Sequence, residues 1–231
     1  MSRATAALPP LTPVRRYDTH RLLPSPDGEP ASVLALIADD AAHLKDLVEL
    51  DDATNERLLA EHQRHPGIGV QELVFGVPGC RRVNAAFAHP HPFGGRFNGP
   101  ERGAWYAAFD LRTALAEAAF HTSVQLAEIG CLHEEITYAD YQADVSAPLH
   151  DLRAAPAFSG CLAADSYVPA QLLAARLLGA GSMGVIYPSV RRRGGICVGL
   201  FRPALVTHLR KGTTWRLRWQ GRPTPVIEPA S

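Results

Sequence analysis

The stretch GGRFNGPERGAWYAAFDLRTALAEAAFH, residues 94–121, decides how the chain is read. It divides into an arginine among glycines, a short apolar and aromatic run, and a helix. Ala104 to Phe109 predicts a buried strand. Asp110 stands where an N-cap belongs, because its carboxylate can accept from the free amides of a first helical turn. From Leu111 to Val124 the only formal charges are Arg112 and Glu117. Leu111, Ala114, Leu115, Ala118 and Ala119 recur at helical spacing and make one apolar face. Ala116, Phe120 and Val124 make a second. A helix apolar nearly all round is expected to be buried. Glu117 falls among the second set, which puts it in a partly enclosed place. A carboxylate there needs a partner or a chemical task. Arg96 and Tyr106 are the nearest upstream candidates to share a pocket with it. Pairing with Arg112 or His121 on a solvated edge is the structural alternative.

The length of 231 residues fits one large domain, or one domain with an extension. An apolar fraction of 46% supplies a core, and 20% charged residues is ordinary for a soluble chain. No apolar run reaches the roughly 18 residues of a membrane span. The N-terminus, MSRATAALPPLTPVRRYDTHR, has no continuous apolar stretch of signal-peptide kind. Cys80, Cys131, Cys161 and Cys197 lie far apart without a C-x-x-C, which reads as isolated thiols in a reducing cytoplasm. Net charge is zero but unevenly spread: residues 191–222 hold nine basic residues and no acidic one, and the rest of the chain holds 14 basic and 23 acidic. A basic C-terminal segment on an acidic body suggests a phosphate-bearing ligand or an acidic partner surface, with a solvated basic edge as the alternative. It is weak support for nucleic-acid binding, since the whole domain is not basic.

Residues 1–16 are rich in Pro and Ala and are expected to form a loose arm. Tyr17 to Leu23 predicts a first strand, ended by Pro24-Ser25-Pro26. Residues 31–62 predict helices with an acidic outer face, read as scaffold. Residues 66–100, punctuated by Pro and Gly, predict loops with short strands. His89-Pro90-His91-Pro92 lies there, on extended backbone. No Cys or carboxylate stands close by to complete a ligand set, so no metal is expected. Residues 133–145 predict a strand, Leu149 to Arg153 the start of a turn, and Ser166 to Gly179 a helix with Pro169 near its start. Two apolar runs, at 184–187 and 196–201, flank PSVRRRGG, where Gly194-Gly195 suits a hairpin turn. Thr213 to Trp219 alternates, with Trp215, Leu217 and Trp219 on one face. Short strands with helices in irregular order favour an α+β fold over a doubly wound sheet. The G-x-G-x-x-G, G-x-x-x-x-G-K-[ST] and G-x-S-x-G motifs are absent.

Three pieces together carry a resemblance: GGRFNG with Arg96, WYAAFDLRTALAEAAFH with Tyr106 and Glu117, and GVIYPSVRRRGGICVGLFRP with Ser189. In order and spacing they resemble the RES domain family, named for its arginine, glutamate and serine. HRLLPS at 20–25 resembles the first strand of longer members, so Arg21 is the counterpart of a second arginine. The resemblance spans residues 17–205 with a catalytic core over 85–205, and residues 17–231 are taken as one domain with 31–62 as a helical extension. It implies an ADP-ribosyltransferase-like fold, a split mixed β-sheet with flanking helices and a cleft for NAD. It also implies a cytoplasmic toxin of a two-gene toxin–antitoxin module that cleaves NAD by hydrolysis or phosphorolysis. The implied partner is a DNA-binding antitoxin that blocks the cleft. No cofactor is implied, NAD being the substrate. Neither direct nucleic-acid binding nor membrane association is expected, and a homo-oligomer is left open. Transfer of ADP-ribose to a protein is the rival within the enzymes, and a non-catalytic nucleotide- or partner-binding module the rival outside them.

The residue types suit that chemistry. Breaking the nicotinamide–ribose bond builds positive charge on the ribose, as in glycoside cleavage. Glu117 is the candidate to stabilise it. Nicotinamide leaves neutral from a cationic ring, so one carboxylate can suffice. Arg96 offers a planar donor fork for the pyrophosphate or a ribose oxygen, and Arg21 can share that role. Tyr106 offers a flat face for nicotinamide. Ser189, after Pro188 at a strand end, can hydrogen-bond ribose or the nicotinamide amide. Arg96, Tyr106 and Glu117 are therefore the expected catalytic residues, and Arg21, Arg96, Tyr106 and Ser189 the expected NAD-binding ones.

Overall fold

The computed structural model describes residues 7–25, 40, 43 and 67–230. The helices expected over 31–62 thus lie outside the described residues, apart from Asp40 and His43. In chain order the elements are β1 (Leu11–Pro24), α1 (Cys80–Ala88), β2 (Trp105–Ala108), α2 (Leu111–Glu128), β3 (Glu135–Asp151), α3 (Val168–Gly179), β4 (Gly184–Pro188), β5 (Ile196–Leu200), β6 (Thr207–Arg218) and β7 (Val226–Pro229). Short 3-10 turns stand at Val70–Glu72, Pro156–Leu162 and Pro203–Leu205. The class is α+β, as expected, and the strands form one mixed sheet of seven in the order β1-β2-β5-β4-β3-β6-β7.

β1 also pairs with β3, so β1, β2, β5, β4 and β3 close a ring. The hub is β3, whose 17 residues are long enough to hold several neighbours. It carries β1 antiparallel along most of its length, β6 antiparallel beside its first part, and β4 parallel at His150 and Asp151. The ring is thinnest between β1 and β2, which share the single register pair His20↔Ala108. Beyond that pair the two strands part, and the gap opens the site described below.

One irregularity sets which side chains reach the gap. The β1–β3 register shifts between Arg16 and Thr19, and Asp18 there has φ 55. A bulge adds one residue and reverses the alternation that follows. Val14 opposite Ala147 faces the first core, and after the bulge Thr19 opposite Ala143 faces the same way. His20, Leu22 and Pro24 therefore turn to the other face, where they line the cavity.

The core has three parts. Val83 and Phe87 of α1 pack with Trp105, Val145, Leu149 and Val198. Leu173 and Leu177 of α3 pack with Phe97, Val185, Tyr187 and Phe201. Leu115 and Leu126 of α2 pack on Tyr138, Leu217 and Trp219. Trp215 joins the edge of that last cluster, so the alternation read over residues 213–219 holds.

Several boundaries differ from the expectation. β1 begins at Leu11, so residues 11–16, expected in a loose arm, are strand paired to β3. That pairing is invisible locally because the partner strand lies more than a hundred residues later. α1 was not expected: its nine residues are short and sit in a Gly- and Pro-punctuated stretch. β3 runs on to Asp151 through the residues expected to begin a turn. α2 is not buried all round. Ala114, Leu115 and Ala119 are buried, but Val124 is 40% exposed. Its second apolar face walls a cavity instead of packing into a core, with Phe120 and Val124 both on the lining.

Candidate functional site

A cavity of about 810 Å³ lies where β1 and β2 part. That is within the usual range for small-molecule sites. Arg21, Arg96, Tyr106 and Glu117 all line it. Four of the five expected site residues, from four separate parts of the chain, thus meet in one place.

Glu117 projects from the middle of α2, whose start is fixed by Asp110: its carboxylate accepts from the Thr113 amide at 3.0 Å and from the Thr113 hydroxyl at 2.7 Å. Glu117 Oε1 accepts from Ser189 Oγ at 2.6 Å and from the Cys197 thiol at 3.8 Å. Oε2 is 3.8 Å from His121 Nε2, one helical turn on, and the side chain keeps 25% of its surface exposed. Of the two alternatives for its pairing, His121 is the neighbour found. Burial lowers the pKa of His121, against the opposing pull of Glu117. Burial and the nearby Glu117 raise that of Cys197, so the thiol stays a donor.

Ser189 is not among the cavity-lining residues; it stands behind Glu117. Its oxygen accepts from the amides of Arg191 at 3.1 Å and Arg192 at 3.0 Å. With its lone pairs engaged, its proton goes to Glu117. Gly195 permits this close approach: a Cβ there would lie 2.5 Å from Thr113 Oγ1 and 3.1 Å from Ser189 Cβ.

Arg96 is 8% exposed. Its Nη1 donates to the carbonyls of Cys161 at 3.2 Å and Ala163 at 2.7 Å, and its Cζ lies 4.6 Å from the Tyr167 ring centroid. It thereby ties the turn Pro156–Leu162 to the cavity. Tyr106 donates its hydroxyl to Asn98 Oδ1 at 2.8 Å and accepts from the Phe97 amide at 2.7 Å. Burial pushes its pKa up. The phenol holds the Arg96 turn, and Tyr106 is on the cavity lining. Arg21 fills the gap itself: Nη1 donates to Tyr106 O at 3.4 Å and Cζ lies 4.6 Å from the Trp105 ring centroid. Burial lowers its pKa to about 10, which leaves it charged at neutral pH.

The profile of the RES domain matches residues 73–220. The chain belongs to the RES domain family. Arg96, Tyr106, Glu117 and Ser189 lie inside the matched span of the RES domain, and Arg21 lies before it. No curated protein matches the sequence. Among solved structures, the M. tuberculosis MbcT–MbcA toxin–antitoxin complex is similar over 59% of this chain and 75% of that chain, at 19% identity and a TM-score of 0.42. So distant a likeness adds no weight to the family match.

The basic segment of the RES domain is largely paired with its acidic body. Arg202 meets Glu72, Arg210 meets Asp18 and Asp144, and Arg216 and Arg218 meet Glu135. Those arginines are thus held in ion pairs rather than gathered at a phosphate site. The run 191–193 divides. Arg191 lines the cavity, with Cζ 3.4 Å from the Phe120 ring centroid and Nη2 donating to Ala164 O at 2.9 Å. Arg192 donates to Thr113 Oγ1 at 3.0 Å and pairs with Asp110, and Arg193 is exposed. His91 lies on the cavity lining and His89 does not. Among the described residues no group of three or more His, Cys, Asp or Glu side chains is placed to hold a metal ion, and no helix is long and apolar enough to cross a membrane.

Sequence reasoning missed His20, Asp140 and Cys197. His20 and Asp140 are 120 residues apart and touch only through the β1–β3 pairing. The available signal was an acidic residue inside the strand pattern of residues 133–145.

Proposed function

We propose that this RES-domain protein is the toxin of a toxin–antitoxin pair and an enzyme that cleaves the nicotinamide–ribose bond of NAD+. The observation that carries the reading is Glu117: a carboxylate on the cavity wall, fixed from behind by Ser189 at 2.6 Å, with Oε2 left towards His121. A preorganised carboxylate stabilises the sugar cation as nicotinamide leaves. Arg21 and Arg96 supply positive charge for the diphosphate. Nη1 of Arg96 is engaged with carbonyls, so the rest of its fork serves the ligand. Tyr106 borders the nicotinamide. Ser189 acts through Glu117, a role its hydrogen bond to that residue supports. NAD is the substrate and no cofactor enters the reaction.

Incubating the purified protein with NAD, with and without phosphate, tests this by product mass. Free nicotinamide with ADP-ribose or its 1-phosphate is the expected outcome. Undiminished NAD refutes it, and labelled protein in place of free ADP-ribose turns the reading to transfer. The expected antitoxin covers the cavity mouth, where Phe93 and Val168 are 82% and 61% exposed and Arg191 offers a cation. NAD and antitoxin are then mutually exclusive and salt weakens the complex. Calorimetry showing undiminished NAD affinity in the complex would reject that arrangement.

A further inference from the structure

His20 and Asp140 form a pair at the cavity, apart from Glu117 and its partners. His20 lines the cavity from β1, and its Nδ1 lies 2.9 Å from Asp140 Oδ2 on β3. A carboxylate only accepts, so Nδ1 carries the proton and, in the neutral ring, Nε2 carries a lone pair. Nε2 has no hydrogen-bond partner among the described residues. Asp140 is 1% exposed. Gln142 Nε2 also donates to its Oδ2, at 3.1 Å, while Oδ1 is buried without a partner among the described residues. Gly212 of β6 makes room for the arrangement: a Cβ there would lie 3.2 Å from Asp140 Oδ2 and 2.9 Å from Gln142 Nε2. A buried carboxylate with one bare oxygen destabilises a fold, and an apolar side chain opposite Leu22 would complete the sheet without that penalty. What the carboxylate does is orient an imidazole whose other nitrogen is open to the cavity.

We infer that His20 is the general base that takes the proton of the attacking water, with Asp140 as the residue that positions it. This rests on the NAD-cleavage reading and deepens it by naming water as the acceptor. As the bond from C1′ to nicotinamide breaks, its electron pair goes to the ring nitrogen and nicotinamide leaves neutral. The water oxygen bonds to C1′, and one water proton passes to His20 Nε2. ADP-ribose and nicotinamide result, and the imidazolium returns its proton to solvent. Glu117 stabilises the cationic sugar from α2 during the same step.

The test uses the full chain with His20→Gln, whose amide still donates to Asp140. The kcat for ADP-ribose formation falls about a hundredfold with KM within about twofold. Sodium azide, an anion with no proton to lose, restores nicotinamide release in His20→Gln to within roughly tenfold of wild type by forming the ribosyl azide. Asp140→Asn lowers kcat about tenfold, and the nitrogen NMR signals of the imidazole move from the Nδ1–H to the Nε2–H tautomer. If wild type cleaves NAD and His20→Gln keeps the wild-type kcat, or azide speeds wild type and variant alike, the inference is overturned and the NAD reading stands. If wild type leaves NAD intact, both fall. Should the variants fail to fold, the wild-type spectrum decides: an Nε2–H tautomer of His20 overturns the inference, and an Nδ1–H tautomer supports it.

Discussion

The two walls of the cavity hold their reactive groups in opposite ways. On the α2 side a carboxylate is the proposed working group, and neutral donors, a hydroxyl and a thiol, steady it from behind. On the β1 side an imidazole faces the cavity, and a carboxylate steadies it from inside the sheet. Glu117 keeps a quarter of its side chain exposed, whereas Asp140 is almost wholly enclosed. The difference follows from where the charge sits. A charge at the cavity surface retains water and can be tuned by hydroxyls, while a charge inside needs built space and partners. Gly195 makes the close approach on the first wall and Gly212 the room on the second.

The strongest way to break the comparison is to neutralise the working carboxylate. Glu117→Gln is expected to lower NAD turnover a hundredfold or more, about 3 kcal/mol of barrier, with an unchanged melting temperature because glutamine still accepts from Ser189. Near-normal turnover by the folded variant would end the assigned role. Ser189→Ala comes next: the loss of one hydrogen bond to a charged group, about 2 kcal/mol, lowers kcat ten- to thirtyfold. Combined with Asp140→Asn in a double-mutant cycle, its effect should add, since Ser189 and Asp140 share no hydrogen-bond partner among the described residues. Strong coupling would show that they act as one unit.

Arg96→Lys is expected to weaken NAD binding about tenfold by calorimetry, since an ammonium cannot hold two carbonyls, lie on Tyr167 and still face a diphosphate. Equal affinity would make Arg96 purely structural. The smallest effect at neutral pH comes from a carboxylate outside both walls. Arg102, and with it Arg202, holds the Glu72 pKa down to about 2 from an ordinary 4.5. The sign follows from the depressed value: the contribution is complete above about pH 4.5 and is lost as pH falls towards 2. Acid unfolding monitored by circular dichroism should therefore be shallower across that window in Glu72→Gln, and an unchanged acid limb would argue against the clamp.

Much of the α2 wall was legible in the sequence. Asp110 as a cap, the helix after it and an isolated Glu117 are local patterns, and local patterns survive folding. The hairpin carrying Ser189 was legible too, from its two apolar runs and Gly194-Gly195. What Ser189 touches was not, because that depends on Gly195 lying against Thr113. The β1 wall was almost unreadable. Its first residues looked like a loose arm, its bulge has no sequence mark beyond Asp18, and Asp140 finds His20 only through a strand pairing across the chain. The second face of α2 misled for a related reason: apolar spacing announces contact, and a ligand cavity satisfies it as well as a core does.

The ring of strands has a consequence for how the protein is made. β1 is synthesised long before its partner β3 is complete at Asp151, and the ring lacks a side until β5 is finished at Leu200. Thr19 bonds to Ala143 and His150 to Pro9 across 124 and 141 residues. Contacts so distant form late and slowly. A growing chain carries His20 early, yet lacks the closed ring that borders the cavity until β5 has been made. On the proposed function, a chain stalled before Ile196 is therefore expected to be inert towards NAD, because β5 is missing from the ring.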